Sequence, residues 1–362
     1  MMFGFFKKFF SRGNAADPIP FTHDFLLVGQ GLAGTLLALE LEKRGKRVLI
    51  VDDGWKSAAS MVAAGLLNPV TGIRLVKTHG AEDLLPAAHR IYADLGKRYG
   101  REFFHFVPFY RYYGSEHERE IKAQRLQKED YGDWLGDDVP AGTLCNGGLG
   151  DRLGGFFVKR CGRLDLPDLL KTTAEDFRAR GLLREAVFDE KDLTVTGQSV
   201  RWHDVTARGI IYCNGYKVRE SRYFSQLRWQ PAKGEYIELE LAGTGKFQAQ
   251  ILKGPVVAIP LGGERWRVGS NYDREVLDNR PTAAVAEYLQ RMAQSLFAFP
   301  PEAKLLAQHA GVRPAIAGGI PAVGPHQAFP RVFLFNGFGS KGTTWIPLYA
   351  ERFAAKLCEE KA

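Results

Sequence analysis

An α/β chain, α+β overall, is predicted by three features of the sequence. FLLVGQGLAGTLLALELEKRGKRVLIVDD (Phe25–Asp53) reads as strand, tight turn, helix and strand. Further short apolar strands of the buried parallel type lie near residues 210 and 335. Between them run alternating strands of the antiparallel type. This order implies a Rossmann-like nucleotide-binding domain of discontinuous segments plus an antiparallel-sheet substrate domain. The expected boundaries are an extension at 1–21, nucleotide-binding segments at 22–90, 155–225 and 305–362, and substrate segments at 91–154 and 226–304. A length of 362 residues suits one large or two interleaved domains.

The elements follow in order. GNAADPIP (Gly13–Pro20) reads as a linker, because two prolines and small polar residues resist regular structure. FLLV is a buried strand. A helix over 32–44 follows, with Ala33, Leu37 and Leu41 on one face and Gly45 in a C-cap position. RVLIV completes the βαβ unit. Residues 89–98 read as helix, the aromatic run 103–113 as strand, and 116–127 as a charged helix. A helix over 166–180 opens on Pro167. GIIYCNG (209–215) is an apolar strand; GEYIELEL, VVAIPL and RWRVGSNYD are antiparallel strands. A helix over 282–296, the strand VFLFN and a final helix to about Cys358 close the chain.

Four motifs carry chemistry. Gly29 permits the tight turn, Gly31 lets backbone approach a pyrophosphate, and Gly34 lets helix pack on strand. The helix N-terminus offers free N–H groups to phosphate. Asp52, 18 residues beyond Gly34, stands where an acid accepts the ribose hydroxyls; Asp53 is one step past it. This motif alone leaves NAD and FAD open. In SAASMVAAGLLNPVTG (57–72), small residues allow backbone against a flat ligand, and Ser57 or Ser60 is placed for a phosphate. In FNGFGSKGTTWIP, Gly337, Gly339 and Gly342 flank Ser340 and Lys341 before a helix. That helix end suits the negative charge of a reduced flavin, which a nicotinamide lacks. In GVRPAIAGG, Arg313 is suited to a bidentate carboxylate contact.

The formal net charge of +8 fits a basic surface, anionic cofactors and substrates, or nucleic acid. Cys145, Cys161, Cys213 and Cys358 have neither zinc nor disulfide spacing, so no metal is expected and a reducing, cytoplasmic setting fits. MMFGFFKKFFSR lacks signal-peptide features; residues 1–12 read as an extension able to touch a membrane interface, which would place the protein at an inner membrane face.

The ordered set GQGLAG, VDD, AAGLLNP, RLD, YCNG, VGSNYD, GVRPA and GFGSKG resembles the FAD-dependent D-amino acid oxidase (DAO) superfamily. AAGLLNP and GFGSKG look closest to its glycine oxidase and tRNA-modifying branch. The resemblance runs from about Asp24 to Lys356. It implies a two-domain flavoprotein with discontinuous segments. By position, Gly29, Gly31, Gly34 and Asp52 would hold the ADP part, and Ala63, Ala64 and Gly65 would line the flavin. Val187 would meet the adenine through its backbone, and Gly215 would lie against the cofactor. Gly339, Ser340, Lys341 and Gly342 would sit at the pyrimidine edge, and Arg313 would bind a substrate carboxylate. Lys341 is a further candidate carboxylate anchor; Tyr236 and Tyr272, on substrate-domain strands, are candidate pocket walls. The chain departs from the family in AIAGG, where an acid often follows the R-P motif. It departs again at Asn214, where alanine is usual, and at Ser340, where glycine oxidases carry arginine. The Arg313 region has no cysteine for a covalent link, so FAD is expected to be non-covalent.

The implied reaction oxidises the C–N bond of an amino acid or secondary amine, with hydride passing to flavin N5. No catalytic side chain is assigned, because positioning can carry the step. Oxygen, or a quinone or carrier, is the expected electron acceptor. Alternatives are a stand-alone oxidase of a modified tRNA nucleoside, a flavin-binding protein without amine oxidase activity, and a plain NAD dehydrogenase.

Overall fold

The computed structural model describes residues 21–359 except 57 and 129. The 13–20 linker, the 1–12 segment and Ser57 therefore lie outside the described residues.

Side-chain alternation shows how the opening strand is buried from both sides. In His23–Val28, Phe25 and Leu27 enter one core and Leu26 and Val28 another. Val48–Asp52 and Leu183–Glu185 extend the sheet on one side, all in parallel. On the other side come Val205–Tyr212 and then Val332–Asn336, also parallel. Ala322–Pro325 adds antiparallel to the last strand. A hairpin, Leu193–Val195 and Val200–Trp202, pairs with the opposite half of Val205–Tyr212, giving eight strands. Helices Leu32–Glu42, Ala81–Tyr99, Leu166–Ala179 and Gly342–Glu359 cover one face. The strands most distant in sequence thus end side by side, with their C-terminal ends toward one cleft, as doubly wound sheets place ligands.

Two elements differ from the sequence expectation. The helix foreseen at 89–98 starts at Ala81, because Leu84 and Leu85 are buried and their packing outweighs the interior Pro86. The aromatic run 103–113 is two strands, Phe104–Phe106 and Phe109–Tyr112, parted by Pro108, which has no N–H to donate.

The second large sheet runs in the order Ala303–Arg313, Ala232–Leu241, Arg265–Gly269, Val257–Pro260, Ile251–Lys253, Phe109–Tyr112, Gly155–Val158 and Leu135–Val139. Its pairings are antiparallel, except that Ile251–Lys253 runs parallel to Phe109–Tyr112. Ala303–Arg313 and Gly155–Val158 belong to this sheet, although most of their residues fall in the segments read from sequence as nucleotide-binding. One face carries Gly234, Tyr236, Gly269 and Gly311 in register. The space the missing side chains leave is taken at Gly234 by the Arg313 guanidinium and at Gly311 by Val62.

This sheet also holds an uneasy cation. Buried Arg111 donates from Nε to Glu118 Oε1 at 2.9 Å. Burial and the nearby Arg111 pull the Lys253 pKa down to about 8. A lysine whose folded pKa lies below its unfolded value of ~10.4 destabilises most when charged. That cost is fully present below pH 8 and fades as pH rises toward the unfolded value. Lys253→Met should therefore raise Tm by a few degrees at pH 7, with the gain shrinking by pH 10. Calorimetric scans across that range check it; a gain independent of pH would contradict it.

Candidate functional site

The first strand, its helix and the glycine-bearing sheet face enclose a cavity of about 400 Å³. Its walls come from every motif region of the chain: Gly29, Gly31, Asp52, Ser60, Ala63, Ala64, Gly65, Val187, Gly215, Tyr236, Arg313, Gly339, Ser340 and Gly342.

At one end, Gly29 has φ +100°, and a Cβ there would lie 2.8 Å from Asn214 Cα. On Gly34 a Cβ would lie 1.9 Å from the Gly29 carbonyl oxygen, so only glycine lets this helix touch its strand. Gly34 is packed behind the wall rather than in it. The Leu32 N–H donates to Ser60 Oγ at 3.1 Å. The N–H groups of Gly31 and Ala33 meet no acceptor among the described residues. A helix end with free N–H groups suits an anion.

The Asp52 carboxylate is a hub. One oxygen accepts from Gln30 N at 2.7 Å; the other accepts from Gly54 N at 2.9 Å and Trp55 N at 2.8 Å. A carboxylate has about four acceptor sites, so Asp52 ties two loops together and retains capacity for a hydroxyl. Asp53, one step on, is held by Lys217 Nζ at 2.9 Å. Val187 lies two residues past the end of its strand, 70% exposed on the cavity wall. Its backbone N–H and C=O have no partner among the described residues. An adenine edge needs such free groups.

Gly65 has φ +67°, and its would-be Cβ falls 1.9 Å from the Leu164 carbonyl oxygen. The stretch before it is the short helix Ala59–Val62, then Ala63 and Ala64. Gly215 has φ +61° and accepts from Asn336 Nδ2 at 3.0 Å. Asn214 Oδ1 is buried on the cavity wall with no partner among the described residues.

The closing loop enters from the far end of the chain. The Gly339 N–H donates to Pro314 O at 3.0 Å. The N–H groups of Ser340, Gly342 and Thr343 meet no acceptor among the described residues and line the cavity at the helix start. Gly337 (φ +85°) lies under the loop against Ile316 and does not face the cavity. Lys341 turns away: its half-buried amine donates to Thr78 Oγ1 at 3.0 Å, and burial lowers its pKa. The cavity wall receives the loop's backbone, not that lysine.

Arg313 ends the edge strand. Its guanidinium donates to Lys233 O at 3.1 Å and Ser270 Oγ at 2.6 Å, and the Tyr272 ring lies 5.1 Å away. No acid partners it among the described residues. Burial lowers its pKa. Tyr236, 8% exposed, stacks against His309 and walls the cavity. Tyr272 does not: it stands past the end of its strand, 54% exposed, as a neighbour of Arg313. Ser270 and Arg267 also line the cavity without having been singled out from the sequence. Arg267 shares the Gly269 side of its strand, and that period of two was the available signal.

Two helix N-termini, walls whose glycines allow close backbone packing and the partnerless Asn214 oxygen all fit a dinucleotide such as FAD.

The model of the DAO family, described as FAD dependent oxidoreductase, matches residues 24–356. Glycine oxidase of Geobacillus kaustophilus is 25% identical, over 94% of this chain and 93% of that one. A bifunctional protein of tRNA 5-methylaminomethyl-2-thiouridine biosynthesis from Ralstonia nicotianae is 23% identical, over 96% of this chain. This chain spans 59% of that longer relative. Among solved structures, glycine oxidase of G. kaustophilus superposes with a TM-score of 0.78 at 21% identity, covering 94% of this chain and 95% of that one. Iminodiacetate oxidase from Chelativorans sp. gives 0.78 at 20% identity, covering 93% and 96%. No helix among the described residues is long and apolar enough to cross a membrane. With its glycine cradle, paired helix ends and end-to-end family match, the chain belongs to the DAO family of FAD-dependent oxidoreductases.

Proposed function

We propose that this oxidoreductase acts on the C–N bond of an amino acid or carboxylate-bearing secondary amine. The observation that carries the reading is Arg313: a half-buried guanidinium on the cavity wall, held by the carbonyls of Lys233 and Asn271 and the Ser270 hydroxyl, with no acid partner among the described residues. A half-buried cation without an acid partner favours a site where an anion can meet it. A substrate carboxylate supplies that anion in bidentate geometry.

FAD, when bound in the cavity, supplies the hydride acceptor. The residues of the chain position and desolvate. Arg313 fixes the carboxylate end, and Tyr236 forms an apolar wall beside it. Glu235 is adjacent in sequence, but its carboxylate accepts from Thr282 N at 2.7 Å and Gln308 Nε2 at 3.1 Å. Strand alternation puts it on the face opposite Tyr236. The amine must therefore enter neutral, and orientation does most of the work.

Anaerobic mixing of FAD-loaded protein with glycine, N-alkyl glycines and larger amino acids tests this. At least one carboxylate-bearing amine should bleach the 450 nm flavin band, and its methyl amide should not. Bleaching by neither, or equally by both, would sink the reading.

A further inference from the structure

Arg313 does not hold its own position. Two of its acceptors, Ser270 Oγ at 2.6 Å and Asn271 O at 3.4 Å, belong to the strap of residues 270–282. The strap leaves strand Arg265–Gly269 at the cavity wall and ends at helix Ala283–Gln294. What fixes the strap therefore fixes the anchor.

The strap is fastened from behind the sheet. Lys233 and Glu235 are each 2% exposed. Strand alternation turns both away from Gly234 and Tyr236. At the near end of the strap, the Lys233 N–H donates to Asp273 O at 2.7 Å, and the Asp273 N–H donates back to Lys233 O at 3.0 Å. The Glu235 N–H donates to Asn271 Oδ1 at 2.6 Å. At the far end, the Lys233 amine donates to Asp278 Oδ1 at 2.8 Å and to Arg280 O at 2.5 Å. The Glu235 carboxylate accepts from Thr282 N at 2.7 Å and Thr282 Oγ1 at 3.1 Å.

A lysine this buried needs a charged partner. Glu235 stands 3.6 Å from its amine; Asp278 is nearer and comes from the strap itself. The same lysine gives its carbonyl to Arg313 Nη1 at 3.1 Å. Lys233 thus grips the strap at both ends and the anchor directly.

We infer that Lys233 and Asp278 are positioning residues, whose ion pair clamps the strap where it aims the Arg313 fork at a substrate carboxylate. This rests on the reading of Arg313 given above.

The sign of one charge deletion tests it. Removing an acid from the neighbourhood of a cation should, by charge alone, strengthen anion binding. Loosening the strap should weaken it. The probes are (methylthio)acetate, which has no amine to oxidise, and its primary amide, titrated calorimetrically into FAD-loaded protein. The wild type should bind the carboxylate more tightly than the amide by about tenfold or more. Asp278→Ala should weaken the carboxylate by about fivefold, as for a misaimed rather than a lost charged hydrogen bond, and leave the amide within about twofold. Asp278→Asn, which keeps an acceptor oxygen for Lys233, should fall between the two and serves if Asp278→Ala fails to fold. Glu275→Ala removes an exposed acid from the same strap and should not weaken the carboxylate. Carboxylate binding unchanged or tightened in the Asp278 variants, both ligands weakened alike, or the same loss in Glu275→Ala would overturn the clamp while leaving Arg313 standing. If the wild type does not prefer the carboxylate to its amide, the Arg313 reading falls, and this inference with it.

Discussion

Gly34→Ala is expected to remove more than nine-tenths of the bound FAD and to lower Tm by roughly 1–4 °C. The added methyl would sit 1.9 Å from the Gly29 carbonyl oxygen, a backbone atom with no side-chain freedom to yield. Strand His23–Val28 and helix Leu32–Glu42 must then part, and the Gly31 and Ala33 amides move off the cavity wall. Overpacking a tight contact costs about 1–3 kcal/mol, and a chain of 362 residues loses about 1.3 °C per kcal/mol. Gly45→Ala is the control. Gly45 has φ +72° but open space around it, so the change strains the backbone without touching the cavity. Its purified protein should keep its flavin absorbance at 450 nm, whereas Gly34→Ala should keep less than a tenth. Equal flavin content in the two would remove Gly34 from the cofactor cradle.

That contrast shows which parts of the site were legible in the sequence. The Gly29–Gly34 turn was readable because it is local: strand, turn and helix are contiguous, and glycine spacing states the contact. Arg313 was readable as a cation because its R-P setting singled it out. Arg267 was not, since its meaning depends on strand pairing with Tyr236 and Glu238, about thirty residues earlier in the chain. Side-chain direction also escaped. Lys341 sits in the right loop, yet reaches Thr78, over 260 residues away. Asp52 was expected as a ribose acceptor, but its grip on Gln30, Gly54 and Trp55 gives it a scaffold role visible only in three dimensions. The domain boundaries blurred for the same reason, because strand Ala303–Arg313 joins a sheet whose other members precede it by 34 or more residues.

Arg313→Ala should weaken binding of a carboxylate substrate by about a hundredfold. Hydrogen bonds to charged groups contribute about 1.5–3 kcal/mol, and a bidentate pair loses both when the fork is removed. At 1.4 kcal/mol per decade, two decades is a modest expectation. Arg313→Lys keeps the charge but replaces the planar fork with a point charge, so it should recover about tenfold. Gly234→Ala is the sharper test, because it leaves the arginine in the chain. The new methyl would occupy the place of the guanidinium, 2.0 Å from Nη2, and push it off its contacts with Lys233 O and Ser270 Oγ. Carboxylate affinity should then fall at least tenfold, while affinity for the uncharged methyl amide changes little. A general loss of folding would weaken both ligands and lower Tm together; displacement of one positioned cation weakens the carboxylate alone. If both Arg313→Ala and Gly234→Ala bind carboxylate as wild type does, the anchor lies elsewhere in the cavity.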